Sequence, residues 1–182
     1  MTEIKLSTER LKLRLIELSD IDSIHTLHSL PETDKFNTLG IPKDMEETKL
    51  IISDWVSENR KSKNLTFAIE QNGSQKFTGL IALKIGNEKF KNGEVWYKLH
   101  SDYWGKGFGT ESLNAILSFG FETLTLHRIE AGCAVENIGS IKILEKVGMT
   151  REGRKRQVLP LKSGWSDNFE YAILDTDERN KI

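Results

Sequence analysis

The segment Tyr103-Trp104-Gly105-Lys106-Gly107-Phe108-Gly109-Thr110-Glu111 constrains the fold more than any other part of the chain. Before it, Val95, Tyr97 and Leu99 alternate as the core face of a strand. After it, Leu113, Ile116, Leu117, Phe121 and Leu124 recur at helical spacing. A strand passed through a glycine-rich turn into a helix makes a site for phosphate. The first N–H groups of a helix lack internal partners and carry partial positive charge, and a diphosphate can accept from them. Glycine lets the backbone approach a ligand and adopt positive φ. Lys106 adds charge at the mouth. The same residues also read as a purely structural turn, with the glycines serving close packing. Two nucleotide motifs are excluded by spacing. A P-loop needs Gly-Lys-Ser/Thr after a four-residue gap, and a dinucleotide fingerprint needs Gly-x-Gly-x-x-Gly early in a βαβ unit.

The remainder reads as one domain over residues 1–182, long enough to bury a core and without a break in composition. The formal net charge of −1 gives no bulk attraction to nucleic acid or an anionic membrane, and neither is expected as a partner. Cys133 is the single cysteine, which excludes an internal disulfide and a cysteine-rich zinc site. No metal site is expected, because His25 and His28 share a helix without further ligands nearby. Met1–Arg10 has no apolar signal core, and no apolar run approaches the roughly 20 residues that span a bilayer. The expected setting is the cytoplasm.

Leu11, Leu13 and Leu15 alternate as a first strand. Ser19 and Asp20 start a helix through Ile24, Leu27 and Leu30, which Pro31 stops. Thr33–Lys43 reads as a loop and Asp44–Arg60 as a second helix. Leu65, Phe67 and Ile69, then Phe77 to Ile85, flank Asn72-Gly73 as a hairpin, and Gly86–Gly93 is a further loop. Ile129, Ala131, Cys133 and Val135 alternate as a strand. Ile141, Leu144 and Val147 mark a short helix ending at Gly148, and two strands close the chain within Thr150–Asp175. The order β-α-α-β-β-β-α-β-α-β-β makes the class α+β, or mixed α/β.

Trp104 to Glu111 resembles the acyl-CoA-binding motif of the GNAT N-acetyltransferases, Gln/Arg-x-x-Gly-x-Gly/Ala. Trp104 stands at the Gln/Arg position, as in the branch similar to the ribosomal-protein N-terminal (RimJ/RimL-like) acetyltransferases. Thr8 to Arg14 resembles that branch's opening strand, Asn137 to Met149 its second block, and Glu152-Gly153 the continuation. Three separated matches in the right order cover nearly the full length. The resemblance implies a central, mostly antiparallel twisted sheet of about seven strands with a splayed parallel pair, flanked by about four helices. It implies acetyl-CoA as co-substrate and direct transfer of acetyl, in a ternary complex, to a primary amine of a protein N-terminus or a small molecule. Similar proteins are commonly homodimers.

The resemblance also implies how the co-substrate lies. Its pantetheine arm fills the gap between Glu94–Leu99 and Arg128–Val135, pairing with backbone groups of Tyr97 and Leu99. The amides of Trp104, Gly105, Lys106, Gly107, Phe108, Gly109 and Thr110 hold the pyrophosphate. Forming an amide from a thioester needs a neutral amine, a donor for the developing oxyanion and a proton for the leaving thiolate. No covalent enzyme intermediate is needed, and Cys133 on its alternating strand reads as core. Asn137 is a good N-cap with Ser140 in the following turn, and that structural role suffices for both. In similar proteins the Asn also contacts the arm and the Ser lies near the sulfur, where it can protonate the thiolate. The Tyr that many relatives place four positions later is Leu144 here. Glu94 resembles a cleft-side base, or is a solvated strand-end carboxylate; His100 and Asp102 read as loop residues. Acceptor loops are expected at Thr33–Lys43, Gly86–Gly93 and Val158–Ser166. A non-catalytic acyl-CoA-binding module, or a binder of another nucleotide, remains open.

Overall fold

The computed structural model of the protein describes residues 4–179, so the ends of the expected 1–182 span, residues 1–3 and 180–182, lie outside the described residues. The strands are β1 (Lys5–Ser7), β2 (Leu11–Leu15), β3 (Asn64–Gln71), β4 (Phe77–Ile85), β5 (Asn92–Leu99), β6 (Arg128–Ala134), β7 (Thr150–Leu161) and β8 (Gly164–Leu174). They form an eight-stranded sheet in the order β1-β2-β3-β4-β5-β6-β8-β7. Every neighbouring pair is antiparallel except β5–β6. The helices are α1 (Ile21–Ser29), α2 (Pro31–Asp34), α3 (Met45–Arg60), α4 (Phe108–Ser118) and α5 (Ile138–Lys146). Among the described residues, no helix is long and apolar enough to cross a membrane.

Period-two alternation divides the apolar residues between the two faces of the sheet. Phe67, Ile69, Ile81, Leu83 and Val95 pack on one face with Leu113, Ile116 and Leu117 of α4 and Leu144 of α5. Ala68 and Leu80 pack on the other with Ile24 and Leu27 of α1 and Ile52 of α3. Two elements exceed the expectation of about seven strands and four helices. β1 turns back on β2, and α2 adds a single turn that begins at Pro31 and runs into the first two residues of the expected Thr33–Lys43 loop. Pro31 opens that turn rather than merely ending α1, since the first helical position needs no N–H.

Asp44 caps α3 by accepting from the Glu47 N–H, as its sequence position suggests. Asp20 does not cap α1 in this way. Its carboxylate is bound by the Arg14 guanidinium at 2.7 and 2.8 Å, and Glu70 completes the cluster.

The parallel pair positions the site. β5 and β6 pair only at Asn92↔Arg128, Gly93↔Ile129 and Glu94↔Glu130. β5 runs on to Leu99, held by β4 as far as Gly79↔Leu99. β6 runs on to Ala134, held by β8 as far as Ala134↔Asn168. Beyond Glu94 each strand keeps its outer neighbour and loses its inner one, so a gap opens in mid-sheet.

Candidate active site

The gap is the floor of a cleft of about 1160 Å³. It is reached from both faces of the sheet. The glycine turn and the start of α5 line it on one side, and His28, Trp55, Trp96 and Lys98 line it on the other.

Along the glycine turn, the Trp104 N–H donates to the Ser101 carbonyl at 3.1 Å, and the Glu111 N–H donates to the Gly107 carbonyl at 3.0 Å. Among the described residues, the N–H groups from Gly105 to Thr110 donate to no carbonyl. They are the unpaired donors expected where a turn enters a helix. Trp104 thus departs from the expected amide row. Its indole Nε1 donates instead to the Leu99 carbonyl at 2.9 Å. Gly105 and Gly107 hold φ of +71° and +82°, a region costly for other L-residues. Gly109 is needed for a different reason. A Cβ there would stand 2.7 Å from Cδ1 of Ile143 and 3.2 Å from Cδ1 of Leu99, so α4 and α5 meet over a bare backbone. Lys106 is exposed and its Nζ lies 5.4 Å from the Tyr103 ring, outside the cleft lining.

Arg10 arrives from the β1–β2 connection, a part of the site that sequence reasoning missed although Arg10 lies in the stretch resembling the opening strand. It donates to Glu111 through Nε at 2.7 Å and to the Lys106 carbonyl at 3.0 Å, with its guanidinium 5.0 Å from the Phe108 ring. Burial raises the Glu111 carboxyl, but bonds from Thr8 and from Arg10 outweigh it and hold the group below its ordinary value.

The ladder decides which backbone groups face the gap. The His100 N–H donates to Thr78 and Asn92 accepts from Gly86, so even-numbered β5 residues bond to β4. The odd-numbered Tyr97 and Leu99 turn their N–H and C=O toward the opened side. The Leu99 carbonyl already accepts from Trp104.

Asn137 caps α5, accepting from the Ser140 N–H at 3.1 Å. The Ser140 hydroxyl donates to the Tyr97 hydroxyl at 2.9 Å. Leu144 is buried in the core and offers no hydroxyl, but Tyr97 brings a phenol from β5 to Ser140. Alternation marked Tyr97 as apolar, which hid this hydroxyl from sequence reasoning. Burial raises the Tyr97 phenol well above its ordinary value, so it stays protonated at neutral pH. Cys133 is buried in the core beside the cleft, and burial pushes its thiol up to about 11, which keeps it a poor nucleophile.

Glu94, the expected base, is the last residue paired across β5–β6. It is exposed and does not line the cleft, because the strands part only beyond it. Of the expected acceptor loops, Thr33, the residues from Lys35 to Leu39, and Leu159 line the cleft, and Gly86–Gly93 contributes nothing.

The far wall holds charge instead. Lys98 is 8% exposed, and its Nζ lies 3.4 Å from Nδ1 of His28, itself 2% exposed. The signal available in the sequence was one lysine interrupting the apolar run Val95-Trp96-Tyr97-Lys98-Leu99.

Comparison with known proteins gives three findings. The acetyltransferase (GNAT) domain family matches residues 10–150. An uncharacterized N-acetyltransferase, p20, of Bacillus licheniformis is 30% identical over 172 residues, covering 93% of this chain and 95% of its own. Among solved structures, a spermidine N-acetyltransferase from Vibrio cholerae in complex with CoA and spermine superposes with a TM-score of 0.83 at 23% identity, covering 93% of this chain and 98% of its own. The ribosomal L7/L12 α-N-protein acetyltransferase RimL, in complex with coenzyme A, does so with a TM-score of 0.86 at 19% identity, covering 96% of this chain and 100% of its own.

Proposed function

The chain belongs to the GNAT acetyltransferase family, and on that premise we propose that it moves an acetyl group from acetyl-CoA to a primary amine. One observation carries the reading: the N–H groups from Gly105 to Thr110 lack protein acceptors at the edge of a cleft that opens between β5 and β6. Those donors, at the N-terminus of α4, suit a diphosphate. The gap-facing backbone of Tyr97 and Leu99 suits the amide-bearing arm that follows it.

Acetyl-CoA supplies the acyl thioester: the amine nitrogen bonds to the carbonyl carbon, the carbon–sulfur bond breaks, and CoA leaves as thiol. The chain's residues serve the protons and the charge. A gap-facing N–H of β5 donates to the carbonyl oxygen as negative charge develops. The Ser140 and Tyr97 hydroxyls, already bonded to each other, supply a proton to the sulfur. Asn137 keeps its side-chain N–H groups for the arm while its oxygen holds the α5 cap. The amine's proton leaves by water at the cleft edge, where the exposed Glu32 and Glu136 stand. A direct role for Glu94 is not part of this mechanism. The acceptor is a protein N-terminus or a small amine, and the free buried Cys133 fits a reducing, cytoplasmic setting.

The test is thiol release from acetyl-CoA across peptides and small amines, run beside a melting shift with CoA alone. The reading requires CoA to raise the melting temperature and an amine to accelerate thiol release. A CoA shift with no amine-dependent release from any acceptor would identify a non-catalytic module. No shift at high CoA would remove the reading altogether.

A further inference from the structure

On the cleft wall opposite the glycine turn, buried polar groups stand that the mechanism above does not use. Lys98 leaves β5 between Tyr97 and Leu99 but on the other face, beside Trp96. Among the described residues it forms no ion pair within 4.0 Å, and its Nζ meets the His28 ring at Nδ1. An ammonium can only donate, so Nδ1 accepts and the ring proton sits on Nε2. That Nε2 is buried without a partner. So is Nδ2 of Asn37, whose Oδ1 accepts from the Leu39 N–H at 3.2 Å. His28, Asn37 and Lys98 all line the cleft. Donors left unmatched in a buried site are costly unless a ligand supplies the acceptor.

The carboxylates nearby do not fill this role. Asp34 is buried, with its Oδ1 also unpartnered, and attracts Lys98 without forming an ion pair; it lines not this cleft but an adjoining hollow shared with Pro160, Leu161 and Lys162. Glu32 is exposed and accepts from the Ser101 hydroxyl at 2.8 Å. Glu136 is exposed. Burial pushes the Lys98 ammonium down to about 8, with Asp34 opposing it, as expected of a cation short of counter-charge.

We propose that the acceptor is a small amine bearing a carboxylate, of the amino-acid class, and that the Lys98 ammonium, held at His28 Nδ1, receives that carboxylate together with the Asn37 amide. The proposal rests on the acetyl-transfer reading for the amine's fate but not for binding. A carboxylate accepts several hydrogen bonds at once, matching the remaining N–H groups of the ammonium and the unused Asn37 amide. Holding it on this wall leaves the amine free to reach the opened stretch of β5.

The experiment compares amino acids with their carboxamides and with spermidine, by thiol release and by melting shift on CoA-saturated protein. The expected result is that acids exceed matched amides by at least about tenfold in kcat/KM, mainly through KM. Lys98→Met is expected to bring the acid-to-amide ratio near one, and Lys98→Glu to move preference to spermidine, with the shift due to CoA alone unchanged in both. A wild-type protein that takes amides or spermidine as well as acids overturns the proposal, as does Lys98→Met retaining the acid preference. If no amine releases thiol, a Lys98-dependent melting shift by amino acids upholds the carboxylate site and rejects acetyl transfer. Without such a shift the site is rejected too.

Discussion

His28 is almost closed to solvent, and burial, aided by the Lys98 ammonium, lowers its pKa from 6.5 to about 3. The ring is therefore neutral in the folded protein at neutral pH. Once unfolded, the chain takes up that proton below pH 6.5, and proton uptake favours the unfolded state. The contribution to stability is whole above pH 6.5 and is lost progressively as pH falls toward 3. At about 1.4 kcal/mol per unit, the loss through this residue at pH 5 is about 2 kcal/mol. Urea unfolding of wild type and His28→Phe at pH 7 and pH 5 checks it. The variant, although less stable at pH 7, is expected to lose about 2 kcal/mol less between the two pH values. Equal losses would mean that His28 is protonated in the folded protein.

At the level of elements, the glycine turn separates two functions that its sequence merges. Gly107 carries a left-handed φ, and the nearest atom to an added Cβ is Nη2 of Arg10 at 3.1 Å. Gly109 is held by the contact between α4 and α5 through Ile143. Gly107→Val is expected to lose CoA binding by distorting the amide row, at a cost of about 1–2 kcal/mol in stability. Gly109→Val is expected to cost about 2 kcal/mol or more by overpacking, and adding Ile143→Ala should recover part of it. Melting curves and CoA titrations on the three variants distinguish the cases. A Gly107→Val protein with unchanged CoA affinity would move the phosphate site elsewhere. In both cases the need for glycine was legible in the sequence, but the reason for Gly109 depends on where a helix some 30 residues later comes to rest.

On the scale of the whole molecule, Arg10 and Glu111 join the first hairpin of the chain to the start of α4 across 101 positions. The Arg10 side chain is half exposed, so the ion pair contributes at most about 1 kcal/mol to stability. Its larger effect is to hold the Lys106 carbonyl, and with it the turn. Arg10→Ala is therefore expected to weaken CoA binding about tenfold while the melting temperature without ligand shifts little. A proportionate fall in both would make Arg10 a stabilising contact and nothing more. Apart from β1 and α2, the element order, the period of the strands and helices, the glycine turn and the Asn137 cap were readable from the chain, because each depends on residues a few positions apart. The parting of β5 from β6 after Glu94, the use of the Trp104 amide within the turn, the meeting of Tyr97 with Ser140 and the burial of Lys98 against His28 were decided by packing. Each joins groups that local periodicity treats as independent. Only the assembled sheet, with helices on both faces, sets which backbone groups lose a neighbour and which side chains are closed off from water.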